Sequence, residues 1–120
     1  LEVPLTCARA VLHNKADMIP IDRPTGEVCA VAKKDLAPGE VLDQIGEYCY
    51  RAWAMEAGEA RSANAIPCGL LTGGIVTAPI KKGALITTEN TRIPSDSKIA
   101  ELRARQDKLL GYTTMEMADA

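Results

Sequence analysis

Aromatic side chains are nearly missing from this chain. It has no phenylalanine, one tryptophan (Trp53) and three tyrosines. The core must come from Val, Leu, Ile, Ala and Met. Nucleic-acid binding through stacked bases needs several exposed aromatics, so the composition argues against it. Histidine is as scarce, with His13 alone. No orienting signature surrounds it, so a Cys–His nucleophile has no support, and His13 reads as a capping or surface residue. Charge of one sign is lacking too: 14 basic residues face 16 acidic ones, a net −2. A surface that tracks phosphates would be clearly basic. No apolar run is long enough to make a membrane-spanning helix. Leu1-Glu2-Val3-Pro4 lacks the basic and apolar regions of a signal peptide and lacks an initiator Met. The start therefore reads as a cut through a longer chain, with a cytoplasmic location expected.

Cys7, Cys29, Cys49 and Cys68 include no Cys-x-x-Cys pair. A structural zinc site would want paired ligands two to four residues apart. Without secretion signals, a disulfide framework is not expected. The four thiols read as reduced, small, buried side chains.

The 120 residues suffice for one domain. Three segments stand out. Residues 1–26 hold Leu5, Ala8, Val11 and Leu12 at helical spacing, which predicts a short helix or the tail of a preceding domain. A turn-rich linker, Ile19 to Gly26, follows. Residues 27–94 form the body. Glu27 to Ala32 is apolar on alternating faces, as in a strand buried on both sides. Pro38-Gly39 suits a type II turn, and Lys82-Gly83 turns the chain again. Leu36 matches Ile80, Gly39 matches Gly83, Val41 matches Leu85 and Leu42 matches Ile86. The pairing predicts an internal duplication. Residues 95–120 carry a capped amphipathic helix with Ile99, Leu102, Leu109 and Leu110 near one face, then a poorly ordered tail from Tyr112 onward. Ser95 or Ser97 is the expected cap and Gly111 the expected C′ residue.

Between the halves, Gly46 to Gly74 has room for one helical turn or a long loop. Loops of that length are usually functional. Its Glu56, Glu59, Arg51, Arg61 and Asn64 form a polar cluster. A solvated face with a Glu56–Arg61 pair is the favoured reading over paired acid–base carboxylates. If the chain touches a ligand, Arg51, Arg61 and Asn64 are the candidates. Gly69 to Gly74 is glycine-dense, but Ile75-Val76 follows where a phosphate loop would need Lys-Ser or Lys-Thr and a helix. Lys33-Lys34 and Lys81-Lys82 read as edge-blunting lysines at corresponding places.

Val31 to Leu42, with Ile66-Pro67-Cys68-Gly69-Leu70 and Pro79 to Thr87, resembles the SAF domain, named for sialic acid synthase, antifreeze protein and flagellar basal-body proteins. The resemblance implies a mainly β fold: a β-clip module, here with a short N-terminal and an amphipathic C-terminal helix. Leu1 to Leu5, Ala8 to Leu12 and Glu27 to Lys33 resemble the C-terminal part of homoserine-dehydrogenase-like oxidoreductases that carry a C-terminal SAF domain. The resemblance implies upstream Rossmann and central domains as partners, NAD or NADP bound in the upstream domain, and possible homo-oligomers. It carries over no catalytic, cofactor-binding or metal residue, because the matching positions lie upstream of Leu1. The function expected is a non-catalytic accessory domain that shapes the substrate side or subunit contacts. A ligand-binding SAF module of a sugar-acid dehydratase or other carbohydrate-related enzyme is the alternative, and an assembly module a third.

Overall fold

A computed structural model describes residues 2–112. Its elements are α1 (Val3–His13), β1 (Gly26–Ala32), β2 (Tyr50–Glu56), α2 (Ala57–Ser62), a single 3-10 turn at Cys68–Leu70, β3 (Ile75–Val76), β4 (Thr91–Arg92) and α3 (Lys98–Leu109).

Strand β1 organises the body. It pairs antiparallel with β2 without a bulge, from Gly26↔Glu56 to Ala32↔Tyr50. On its other edge Ala32 N–H donates to Ala84 C=O (2.9 Å) and Ile86 N–H to Ala30 C=O (3.0 Å). Cys29 to Ala32 are all buried, as expected of a strand covered on both faces. One face joins Leu42, Tyr50, Ile66, Leu71 and Ile86 in the main core. Cys29 on the other face packs against Ala60 and Ala65.

The duplication is visible as a pseudo-two-fold axis. Leu36 and Ile80 sit on it and exchange both backbone hydrogen bonds, at 2.8 and 3.0 Å. Around it several bonds have counterparts. Gly39 N–H donates to Val76 C=O, and Gly83 N–H to Ala32 C=O, both at 2.8 Å. Val76 N–H donates to Glu40 C=O as Ala32 N–H does to Ala84 C=O, and Leu42 N–H to Gly74 C=O as Ile86 N–H does to Ala30 C=O. Val41 bridges Ile75 where Leu85 bridges Val31. Gly39 and Gly83 close matching turns at φ 88° and 84°, a region that side-chain-bearing residues rarely adopt. Gly74 is required for another reason: a Cβ there would meet Leu71 C=O at 2.9 Å.

The mainly β, β-clip expectation is not met. The domain is mixed α/β, 29% helical and 22% strand, with two short two-stranded sheets. The duplicated units meet through single bridges, since the turns at Gly39 and Gly83 end pairing after one or two residues. The lysine pairs do not correspond either. Lys33-Lys34 precede the bridge residue Leu36, whereas Lys81-Lys82 follow its mate Ile80.

The middle segment is no long loop. It supplies all of β2 and α2. Glu56 caps α2, its carboxylate accepting Glu59 N–H at 3.0 Å, so it does not form the expected pair with Arg61.

Helix α3 is capped as expected and oriented otherwise. Ser97 accepts Ala100 N–H at 3.3 Å. Gly111 (φ 71°) donates to Lys108 C=O and Tyr112 to Asp107 C=O, which together satisfy the last carbonyls. Yet Ile99, Leu102 and Leu109 are 61%, 52% and 78% exposed. The buried residues are Ala100 and Asp107. Tyr112 thus belongs to the cap; the rest of the expected tail, residues 113–120, lies outside the described residues.

Helix α1 buries nothing. Pro4 starts it and Asn14, in the left-handed region at φ 50°, ends it. Arg9 holds Asp17 of the following segment at 2.6 Å. The radius of gyration is 17.4 Å, against about 14 Å for a compact chain of this length.

Candidate functional site

The three sequence-selected residues serve three different places. Arg51 lies exposed on β2, its guanidinium 4.9 Å from the centroid of the Trp53 ring, a cation–π distance. Asn64 ends α2 in the left-handed region (φ 51°), its amide 3.4 Å from Glu89 Oε1. Arg61 turns inward. Its Nη1 lies 3.2 Å from Asp107 Oδ1, and its guanidinium stacks 3.5 Å from the Tyr112 ring centroid. Among the described residues these three share no hydrogen-bond partner.

Among the described residues, Arg61 leads to a largely buried charged cluster that joins distant parts of the chain. Asp107 Oδ1 also accepts Arg103 Nε at 3.3 Å, and Arg103 reaches back to the Glu27 carboxylate on β1. Two guanidinium groups and two carboxylates therefore tie α2, α3 and β1 together. Burial alone would lower the Arg103 pKa, but the Glu27 and Asp107 carboxylates outweigh it and raise it. Among the described residues, the second Nη of Arg61 is buried with no partner. The charges are mutually neutralised rather than poised for proton transfer, which gives the cluster a structural role. Arg103 and Asp107 were visible in the sequence as an i, i+4 ion pair; their link to Arg61 and Glu27 was not.

Tyr50 is fully buried. Its hydroxyl is turned toward Thr72 without making hydrogen-bond geometry. Burial, with a smaller contribution from the Asp43 carboxylate, pushes its pKa up. It is a core residue held in the protonated state.

The thiols divide in two. Cys7 is exposed on α1; Cys29, Cys49 and Cys68 are buried and free. Burial, helped by the Glu27 carboxylate, pushes Cys29 up to about 11. Burial likewise raises Cys49 and Cys68. A thiol held protonated at neutral pH is a poor nucleophile. Among the described residues no three metal-ligating side chains converge, and no helix is long and apolar enough to cross a membrane.

The lysines answer to acceptors of their own chain. Lys33 Nζ meets Glu47 C=O, Lys34 meets Glu40, and Lys81 lies 2.9 Å from Asp35. Lys82 N–H donates to the same Asp35 carboxylate at 2.8 Å. They do not converge on an anion. The chain matches no protein-family model and no curated protein.

Proposed function

We propose that this chain is a non-catalytic, SAF-type accessory domain of a cytoplasmic, homoserine-dehydrogenase-like NAD(P)-dependent oxidoreductase. Its partners are the catalytic and central domains that precede it, with NAD or NADP held in the former. Its task is to shape the substrate side or the subunit contacts.

One observation carries most of the weight. Both terminal helices leave their large apolar residues in solvent, while α3 turns Arg103 and Asp107 inward. A helix normally buries its apolar stripe, and contiguous exposed apolar surface marks an interaction site. The motif residues from Val31 to Leu42 and from Pro79 to Thr87 supply the family resemblance.

The test is the complete reading frame and its product. A strand–Gly-x-Gly-x-x-Gly–helix unit is expected within about 350 residues upstream, the span of two ordinary domains. The longer protein should bind NAD or NADP, and this chain alone should not. Absence of that unit, or nicotinamide binding by this chain alone, would overturn the reading.

A further inference from the structure

Helix α3 carries a seam on its outer side. Ile99, Leu102, Gln106 and Leu109 follow one another at intervals of three, four and three residues. That is the a/d repeat by which one helix packs along another. At about 100° per residue the four fall within an arc of about 80°. All four are exposed, while the side that carries Ala100 and Asp107 is buried against the body. The borders of the seam decide what fits it. Lys98 and Arg105 take the g positions on one border. Arg103 and Leu110 take the e positions on the other, and Arg103 is turned inward to Glu27 and Asp107. The open border is therefore basic. Glu101 holds Lys98 at 2.7 Å, but in an exposed pair, which is worth little. Among the described residues Arg105 meets no carboxylate.

The chain itself offers no complement to this border. Antiparallel helices set g beside g, so a second copy would bring Lys98 against Arg105. Parallel helices set g beside e, so it would bring Lys98 against Arg103. Helix α1 has no acidic residue between Val3 and His13. We propose that α3 docks an amphipathic helix of the proposed upstream domains whose apolar seam is bordered by Asp or Glu. The proposal rests on the reading above that the terminal helices face those domains, and it names the chemistry of the contact. Ile99, Leu102 and Leu109 supply the apolar surface. Gln106 sets the register, as a polar residue inside an apolar seam does. Lys98 and Arg105 select the acidic border, and by the same charges they turn away a second copy.

Two synthetic three-heptad peptides test this. Both have Leu and Ile at a and d and Asn at one a position. One has Glu at every e and g position, the other Lys. Like charges on its own borders keep each peptide from pairing with itself. Each is titrated into the 120-residue chain and followed by the NMR shifts of the α3 amides. The glutamate peptide should bind with a Kd below about 1 mM, at least about tenfold tighter than the lysine peptide. Leu102→Gln should weaken it by at least about tenfold. Lys98→Glu combined with Arg105→Glu should reverse the preference. All three positions are exposed, and thermal unfolding reports that each variant still folds. Binding of neither peptide, equal binding of both, or shifts centred away from α3 would overturn the proposal. So would a dimer in sedimentation that Leu102→Gln dissolves, because a second copy would then be the occupant. Each of these outcomes leaves the reading of the parent enzyme to its own test, the upstream reading frame.

Discussion

The body and the terminal helices of this chain follow opposite rules. In the body, the matched residues Leu36 and Ile80, and Leu42 and Ile86, are all buried. In α3 an aspartate is buried and three large apolar residues face water; in α1 no residue is buried. The body is satisfied by its own sequence. The helices are held by charge and by the chain, and their apolar surface is left for something else. Where apolar side chains end up therefore separates what the domain needs for folding from the surface it leaves exposed.

The comparison can be broken most sharply at Asp107. Asp107→Ala leaves Arg61 and Arg103 partly buried without their shared carboxylate. Loss of one partner from a buried ion cluster costs about 4 kcal/mol, read as a lower urea midpoint. A loss under about 1 kcal/mol would mean that α3 is held otherwise.

Next come the symmetry mates. Leu42→Ala and Ile86→Ala should each cost about 3 kcal/mol, the range for buried aliphatic truncations. Equivalent positions predict similar losses, and a large asymmetry would show that the duplicated bonding pattern does not carry over to packing.

Acid should act through Asp43. Burial raises its pKa, but hydrogen bonds from the backbone N–H groups of Tyr48 (2.8 Å) and Cys49 (3.1 Å) outweigh this and lower it. A depressed carboxylate stabilises the fold fully above its unfolded pKa of about 3.9 and loses that contribution as pH falls through the folded value. The melting temperature should drop between about pH 5 and pH 3, and less so in Asp43→Asn. Equal drops would assign acid lability elsewhere.

The smallest effects belong to the helices' outer faces. Ile99→Ala, Leu102→Ala and Val11→Ala should each change the stability of this chain by less than about 0.5 kcal/mol, the usual range for surface substitutions.

These contrasts also explain what was legible in the sequence. The Pro38-Gly39 and Lys82-Gly83 turns and the Leu36/Ile80 match were readable because turn chemistry and short-range alternation are local. β1 was readable because its apolar residues run unbroken. β2 was not: Arg51, Ala52 and Ala54 are exposed, so no alternation marks it, and alanine is a weak strand former. The orientation of α3 was hidden because a count of apolar positions cannot see Arg61, which arrives from α2 to meet Asp107. Arg61, a candidate ligand contact, meets Asp107 of α3, while Arg51 and Asn64 stay at the surface.

Backbone hydrogen exchange tests the central contrast most directly. It would be compared between this chain alone and the same chain joined to the proposed upstream domains. The account predicts that amides of Val3–His13 and Lys98–Leu109 slow by at least about tenfold in the longer protein, with the body around Leu36 and Ile80 unchanged. Equal exchange of both helices in the two proteins would contradict it.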